Sequence, residues 1–415
     1  MIEEMSRAIL VAIAERSSDV NECERSLDEL ERLLNTAGGS SFAKVIQVKE
    51  SFDVRTCIGS GKVAEIKELC RNNDIHLVVF DFELSPAQIR NLENDIEDVN
   101  VIDRSMLILD IFALHATTGE GKLQVELAQL KYTAPRLIGK GKDLSRQGGG
   151  IGSRGPGESK LETDRRHLHE KVTQLERKLA EMEQNRSVMR AQRDRSGLTK
   201  LALVGYTNSG KSTLLNLLTD AGVLAQDKLF ATLDPTTRKL DLPNGESVLL
   251  TDTVGFIRKI PHHLVKAFKS TLDEVRYADI LLIVCDVNDS ENAEHLEVTR
   301  SVIEELGAGD KDIIYVYNKC DLYEGALPES TNDTVFVSAK ENRGIDTLLE
   351  VIEAALAKSK KRVRLLIPYS EQSALNAIFK AYNVAEVTYA DDGTLVEAVL
   401  DVKGQGQYEK YIIKE

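Results

Sequence analysis

Short apolar runs alternate with amphipathic stretches over the first 114 residues of the chain. The apolar runs predict buried strands over residues 8–13, 43–48, 75–80 and 99–102. The stretches between them place apolar residues at helical spacing and predict helices over residues 21–34, 61–72 and 85–94. Strands that alternate with helices predict a parallel sheet that is covered on both faces. We therefore expect residues 1–114 to form an N-terminal parallel α/β domain.

Residues 115–197 follow a different pattern, in which apolar residues recur four and three positions apart. Two series share this spacing, and each forms one seam on a helix: Leu123, Leu127, Leu130, Ala134 and Leu137, and then Leu168, Val172, Leu175, Leu179 and Met182. A glycine-rich loop over residues 147–157 lies between the two seams. Two seams that flank a loop predict an antiparallel helical hairpin of the coiled-coil type.

Strand and helix patterns alternate again over residues 198–360, which predicts a second α/β domain. Residues 361–415 predict a small C-terminal α+β domain with a helix over residues 371–381. Its expected strands are residues 364–368, 384–389 and 395–400, followed by a final strand. The fold class is thus α/β, with a hairpin and a small α+β unit added.

The second α/β domain begins with a strand, a glycine-rich loop and a helix, in the spacing G-x-x-x-x-G-K-S of a phosphate-binding loop. Its glycines let backbone N–H groups point at phosphate oxygens. Lys211 is expected to reach the β- and γ-phosphates as a catalytic residue, and Ser212 to ligate Mg²⁺. The candidate nucleotide-binding residues of this loop are Gly205, Tyr206, Thr207, Asn208, Ser209, Gly210, Lys211, Ser212 and Thr213.

Two further segments are expected to contact the phosphates. The first is a hydroxyl-rich loop over residues 230–238, in which the spacing favours Thr232 as a second Mg²⁺ ligand and makes the loop a switch. The second follows a strand that ends in Asp252, which is expected to hold Mg²⁺ through water, while the Gly255 N–H senses the γ-phosphate. The candidate residues are Phe230, Ala231, Thr232, Leu233, Asp234, Asp252, Thr253, Val254 and Gly255, with Thr232 and Gly255 also assigned catalytic roles.

Base recognition is assigned to two short motifs, each at the end of a predicted strand. The carboxylate of Asp321 accepts two N–H bonds from guanine, whereas adenine would present a mismatched edge. Asn318 is expected to steady the loop, and the backbone at Ser338 to meet the guanine carbonyl. The candidate residues are Asn318, Lys319, Cys320, Asp321, Ser338, Ala339 and Lys340. These motifs occur in the order that guanine-nucleotide binding requires.

Charge is distributed unevenly along the chain. The net charge is −14, yet residues 136–200 carry 16 Lys and Arg against 9 Asp and Glu. A basic hairpin with a glycine- and arginine-containing tip is typical of a probe for phosphate backbones, and a flexible loop suits irregular RNA. The candidate RNA-binding residues are Arg146, Gly148, Gly149, Gly150, Arg154, Arg165 and Arg166. The alternative is a solvated hairpin whose charges only aid solubility.

At this point the sequence resembles a known family. The nucleotide motifs are those of translation-factor-like P-loop GTPases, and residues 148–166 and 230–238 resemble signatures of the HflX family, in the branch with a small C-terminal domain. Ser153 and Ser159 depart from that signature, where Thr is expected. The resemblance implies a Ras-like GTPase domain, Mg²⁺ ligation by Ser212 and Thr232, and binding to the large ribosomal subunit near its peptidyl-transferase centre. It further implies a role in the rescue or splitting of stalled ribosomes, with ATP hydrolysis in some members.

Phe256 occupies the position at which signalling GTPases such as Ras use a glutamine to orient the attacking water. One interpretation is that this side chain simply packs. The interpretation that we favour is slow intrinsic hydrolysis, stimulated by a partner that orders the switches or supplies the missing polar group. Arg258 and Lys259 are candidates for contacting that partner.

Composition limits the cellular location and the partners that we expect. The N-terminus is acidic and shows no signal peptide, and no apolar run approaches the about 20 residues of a membrane helix. The five cysteines are scattered. These features predict a cytoplasmic protein with reduced thiols. The expected ligands are GTP, GDP and Mg²⁺, with ribosomal RNA and a loose membrane association as partners of a monomer. Two alternatives remain open, namely a regulatory GTPase whose hairpin binds a protein or membrane, and an ATP-using RNA remodeller.

Overall fold

The computed structural model describes residues 6–145, 156–195, 198–219, 222, 229–230, 233–259, 264, 269–400 and 402–413. Within these ranges the chain forms three sheets and one pair of long helices. This arrangement confirms the predicted fold class, whereas the exact domain bounds stay a prediction.

The N-terminal domain is a four-stranded parallel sheet in the order β2-β1-β3-β4. Its strands are β1 (Arg7–Ala14), β2 (Ser40–Val48), β3 (Leu77–Phe80) and β4 (Asn100–Asp103). Its helices are α1 (Val20–Thr36), α2 (Ser60–Asn73), α3 (Pro86–Ile96) and α4 (Arg104–His115). The central strand β1 is buried from Ala8 to Ala12, as a parallel sheet with helices on both faces requires. The sequence pattern did not predict α4, because its middle is apolar on nearly all sides and shows no amphipathic period.

The long helices α5 (Gly119–Ser145) and α6 (Pro156–Arg195) form the hairpin. Their antiparallel arrangement is visible in cross-helix ion pairs, since Glu120 at the start of α5 contacts Arg186 near the end of α6, whereas Lys131 farther along α5 meets the earlier residue Glu176 at 2.7 Å. The predicted seam positions from Leu168 to Met182 are the least exposed positions of that stretch of α6. The opposite side of α5 packs on the N-terminal domain through buried Val125 and Ala128.

The second α/β domain is a six-stranded sheet in the order β10-β9-β8-β5-β7-β6, in which only β6 runs antiparallel. The strands are β5 (Thr199–Val204), β6 (Thr236–Asp241), β7 (Ser247–Asp252), β8 (Ile280–Asp286), β9 (Asp312–Asn318) and β10 (Thr334–Phe336). The helices within the described ranges are α7 (Lys211–Thr219), α8 (Lys269–Tyr277), α9 (Asn292–Glu305) and α10 (Ile345–Ser359). The last three residues of the predicted switch loop, 236–238, lie in β6.

The C-terminal unit is an antiparallel sheet in the order β11-β13-β12, covered by helix α11 (Gln372–Ala381). The strands are β11 (Lys361–Ile367), β12 (Asn383–Ala390) and β13 (Gly393–Leu400). The expected final strand is wrong: helix α12 (Val402–Gln407) and a turn of 3₁₀ helix follow instead. The stretch lacks an alternation of apolar and polar residues, and it places Tyr408 and Tyr411, three positions apart, in the core of this unit.

One apolar cluster joins the N-terminal domain to the chain segments before β6 and after β7. Phe230 packs edge-on against Phe112 of α4, with ring centroids 4.7 Å apart. Leu233, Val254 and Ile257 lie in the same buried cluster as the face of the N-terminal sheet that α1 and α4 cover. The nucleotide loops are therefore packed against a second domain.

Candidate nucleotide-binding site

The loop between β5 and α7 has a backbone that only glycine tolerates at two positions. Gly205 has a φ of +145°, and a Cβ there would lie 2.2 Å from the carbonyl oxygen of Val284. Gly210 has a φ of +94°, and its Cβ would lie 2.2 Å from Asn318 Nδ2. Both glycines are thus required by close approach as well as by backbone conformation. The loop opens directly into α7, whose N-terminus carries partial positive charge suited to phosphate.

Lys211 is the first residue of α7, and its side chain is folded back over this loop. Its Nζ donates to the carbonyl oxygens of Tyr206 at 2.7 Å and Gly205 at 3.2 Å. Burial lowers the pKa of Lys211 to about 8, although the charge of Asp252 acts in the opposite direction. An anionic ligand in the loop would restore the ammonium form, because a nearby negative charge favours it.

Two oxygen-bearing side chains meet where α7 begins and β7 ends. Ser212 Oγ donates to Asp252 Oδ2 at 2.6 Å, and Asp252 is fully buried. Thr253 Oγ1 donates to the carbonyl oxygen of Leu203 at 2.7 Å, which fixes the chain as it leaves β7. A hydroxyl and a carboxylate side by side form a hard-oxygen donor set of the kind that Mg²⁺ prefers. The other predicted ligand, Thr232, lies outside the described residues, as does Ala231.

The segment after β7 lies against the phosphate-binding loop. Phe256 N–H donates to the Gly205 carbonyl at 3.0 Å, and Thr207 N–H donates to the Phe256 carbonyl at 2.8 Å. Gly255 is held so close that a Cβ there would lie 2.7 Å from Thr207 Cα and 2.9 Å from Lys211 Nζ. The structure therefore brings Gly255 and Lys211 together, as their predicted roles require.

Phe256 itself is 1% exposed and packs in the apolar cluster of β5, β8 and α8. The packing interpretation therefore describes its side chain. A buried phenyl ring offers no polar group to the attacking water, so slow intrinsic hydrolysis is still expected. It stays a prediction.

The two base-recognition motifs meet at the ends of β9 and β10. Ser338 Oγ donates to Asp321 Oδ1 at 2.6 Å, which holds this carboxylate in place. Lys319 has a φ of +64° and forms an ion pair with Asp286 at 2.8 Å. Cys320 and Ala339 are buried, whereas Lys340 is exposed. The contacts of Asp321 with a guanine ring stay a prediction.

Two residues of the predicted switch loop contact other domains of the chain, one at α4 and one just before α5. The side chain of Phe230 is buried against Phe112, with a backbone φ of +57° that is unusual for a bulky residue. Asp234 accepts hydrogen bonds from the backbone N–H groups of Thr117 at 3.0 Å and Thr118 at 2.8 Å, just before α5. Their assignment to nucleotide binding stays a prediction, and the structure adds that this loop is fastened to the hairpin.

Two of the predicted RNA-binding residues lie on α6. Arg165 and Arg166 are exposed on α6, where Arg166 lies 3.6 Å from Glu170. The other five candidates fall outside the described residues: Arg146, Gly148, Gly149, Gly150 and Arg154.

Sequence reasoning missed a buried ionic cluster between the domains. Arg104 is 2% exposed, and its guanidinium contacts Glu29, Asp81 at 2.7 Å and the Arg258 carbonyl at 3.1 Å. Lys259 Nζ reaches Asp81 at 2.8 Å. Burial alone would raise the pKa of Asp81, but the charges of Arg104 and Lys259 hold that pKa below its usual range.

Arg258 and Lys259, which were candidates for contacting a partner, therefore both make contacts within the chain. Arg258 lies 2.7 Å from Glu294 and 3.2 Å from Glu291. No local motif signals this cluster, because its members are far apart in sequence.

Comparison with known proteins covers nearly the whole chain. Family models described as "GTP-binding GTPase N-terminal", "GTP-binding GTPase Middle Region" and "50S ribosome-binding GTPase" match residues 24–113, 115–193 and 200–319. The GTPase HflX of Lacrimispora saccharolytica is 48% identical over 395 residues, covering 94% of this chain and 93% of the relative. The GTPase HflX of Escherichia coli K12 is 41% identical over 375 residues, covering 89% and 88%. A GTP-binding protein from Sulfolobus solfataricus, solved in complex with GDP, is 26% identical with a TM-score of 0.44, covering 84% of this chain and 98% of that one.

Proposed function

The chain belongs to the GTPase HflX family, as its motifs predicted, and from this membership we propose that it is a GTP-driven switch that associates with the large ribosomal subunit. The family makes it a GTPase that binds GTP and GDP. The proposed task is rescue, splitting or biogenesis of ribosomes under stress, with hydrolysis stimulated by the ribosome. The observation that carries this proposal is the match of residues 200–319 to a model described as "50S ribosome-binding GTPase".

The hairpin supports an RNA partner. Arg165 and Arg166 lie on an exposed stretch of α6 that follows the glycine-rich loop in sequence, where phosphate groups of RNA can reach them. The switch loop is tied to the base of the same hairpin through Asp234 and Thr118. A contact at the tip is thereby linked to the loop predicted to sense the nucleotide.

In the proposed site Ser212 and Thr232 would hold Mg²⁺, and Asp252 would support it through water. When bound, the ion neutralises charge on the β- and γ-phosphates. Lys211 reaches the same phosphates from the start of α7, and the Gly255 N–H donates to the γ-phosphate. Asp321 selects guanine, because its carboxylate accepts from two N–H groups that adenine lacks in that arrangement.

We place this activity in the cytoplasm, with the protein acting as a monomer. Among the helices of the described ranges, none combines the length and the apolar content that a membrane span requires. A loose membrane association would then depend on surface contacts of the hairpin.

The test is the steady-state rate of GTP hydrolysis with and without purified large ribosomal subunits. We expect the subunits to raise the rate about tenfold or more, as partners do for GTPases that lack a complete catalytic set. Deleting residues 148–157 should remove most of this stimulation and leave the basal rate unchanged.

A double variant, Arg165→Ala with Arg166→Ala, should weaken subunit binding and reduce its salt dependence. Arg177→Ala is the matched control, because Arg177 is exposed on the same helix and lies 3.1 Å from Glu181, much as Arg166 lies beside Glu170, but it is farther from the glycine-rich loop in sequence. Unchanged hydrolysis at saturating subunits would contradict the proposal. Stimulation by anionic vesicles or by a protein fraction alone would point to the alternative of a membrane or protein partner.

A further inference from the structure

The hydroxyl of Tyr206 joins three parts of the molecule. It donates to Glu29 of α1, and it accepts from the Arg258 backbone N–H at 2.7 Å. The ring of Tyr206 stacks on His295 of α9, with centroids 3.6 Å apart and planes 13° from parallel. One side chain of the phosphate-binding loop thus contacts the N-terminal domain, the segment after Gly255 and α9.

The Glu29 side of this junction is firmly anchored. Glu29 also binds the guanidinium of Arg104, which is buried between Glu29 and Asp81. A buried charge of this kind cannot change partners without losing its compensation, so the position of Glu29 is fixed by the N-terminal domain.

The hydrogen bond from the Arg258 N–H to Tyr206 holds a short backbone segment that begins at Gly255. Gly255 is followed by Phe256, whose N–H and carbonyl both bond to the phosphate-binding loop, and two residues later Arg258 N–H bonds to the Tyr206 hydroxyl. These three hydrogen bonds set the place of Gly255 beside Lys211 Nζ. Removing one of them leaves a buried N–H without a partner, which shifts or loosens the segment.

We propose that Tyr206 is a positioning residue for γ-phosphate recognition, whose hydroxyl fixes the Gly255 segment against the phosphate-binding loop and ties that position to Glu29 of the N-terminal domain. Tyr206 acts through Gly255 and not by touching the phosphate with its own hydroxyl, which is already engaged on both sides. The N-terminal domain thereby influences the distinction between GTP and GDP.

Tyr206→Phe is the decisive variant, because phenylalanine keeps the ring stacked on His295 and removes only the hydroxyl. In the full-length protein without ribosomes, we expect its affinity for a non-hydrolysable GTP analogue to fall about tenfold, the worth of one buried hydrogen bond, while the GDP affinity changes less than about twofold. Glu29→Gln should change the same ratio in the same direction, because an amide holds the hydroxyl less strongly than a carboxylate does.

Tyr132→Phe is the matched control, since the hydroxyl of Tyr132 also donates to a carboxylate, but to that of Asp103 at 2.5 Å, which belongs to β4 of the N-terminal domain and not to the phosphate-binding loop or the segment after Gly255. It should leave both affinities unchanged. Equal losses of GDP and GTP-analogue affinity in Tyr206→Phe would show a structural role only, and an unchanged ratio would likewise overturn the proposal.

The inference relies on the predicted contact of Gly255 with the γ-phosphate, so Gly255→Ala is measured in parallel. If Gly255→Ala lowers the ratio of affinities but Tyr206→Phe does not, the role of Tyr206 is wrong and that of Gly255 stands. If neither lowers it, the premise fails as well. Both outcomes are independent of ribosome binding.

Discussion

Asn318 Nδ2 donates to the carbonyl oxygen of Ser209 at 2.9 Å, so the end of β9 is bound directly to the phosphate-binding loop. The other amide atom, Oδ1, accepts from the Ala339 N–H at 3.0 Å. Asn318 is 2% exposed and therefore exchanges neither bond with water. A single buried amide aligns the loop for phosphate with both loops assigned to the base.

Asn318→Ala should weaken GDP and GTP binding equally. The change leaves the Ser209 carbonyl and the Ala339 N–H unpaired, and each such group costs about 1–3 kcal/mol. We expect the affinity for both nucleotides to fall about tenfold or more, measured by titration with a fluorescent nucleotide. Asn73→Ala, which removes a similar bond to the Leu69 carbonyl in α2, should leave both affinities unchanged. A selective loss of GTP alone would contradict this explanation.

Asp321→Asn should change base selectivity. The carboxylate is held by Ser338 at 2.6 Å, and replacing it with an amide removes an acceptor for guanine N–H groups. Charge-assisted hydrogen bonds contribute about 1.5–3 kcal/mol each, so GTP affinity should fall about a hundredfold, while xanthosine triphosphate, which offers a carbonyl at that edge, should gain. Competition titrations with both nucleotides measure this. Retained GTP affinity would remove Asp321 from the base site, and strong ATP binding would support the RNA-remodeller alternative.

Nucleotide binding should take up a proton above pH 8 through Lys211. Burial lowers the pKa of Lys211 to about 8 from 10.5, so the lysine binds fewer protons in the folded protein than in the unfolded chain between these values. The free energy of unfolding of the ligand-free protein therefore rises with pH in that window, and below pH 8 the full penalty of the buried charge is present. Phosphate raises this pKa again, so nucleotide affinity declines as the pH rises past 8.

Calorimetry in buffers of different ionisation enthalpy measures this proton uptake. Uptake should appear at pH 8.5 and be absent at pH 6.5. Equal proton counts at the two pH values would show that Lys211 is charged throughout.

Arg104→Ala should strongly destabilise the protein. The substitution leaves the carboxylates of Glu29 and Asp81 buried next to each other with only Lys259 to compensate them. Breaking a buried pair in this way costs about 3–5 kcal/mol in the free energy of unfolding, measured by urea denaturation. Arg55→Ala removes an exposed ion pair with Asp95 and should cost less than about 1 kcal/mol. Similar values for the two variants would mean that water reaches the cluster.

The features predicted correctly from the sequence are those carried by one short stretch of chain. The phosphate-binding loop, Asp252 and the Asn318–Asp321 motif each follow a strand, so one stretch of chain carries both the element and the chemistry. The ionic cluster of Arg104 and Lys259 was missed, and Lys259 was assigned to an external partner instead, because the two residues are 155 positions apart and meet only after two domains pack. Helix α4 was missed because a helix that is buried almost all round shows no periodic spacing of apolar residues. The prediction of a final strand was wrong because Tyr408 and Tyr411, three positions apart, fill the core from a helical turn.

The apolar cluster shared by the two domains has a consequence for synthesis. Its N-terminal members, such as Leu30 of α1 and Phe112 of α4, leave the translating ribosome well before Phe230, Val254 and Ile257. Until the later residues emerge, the apolar side chains of α4 that they cover, such as Phe112, stay exposed. Nascent domains with such exposed side chains are prone to association, so we expect the growing chain to depend on chaperones until residue 257 has been made.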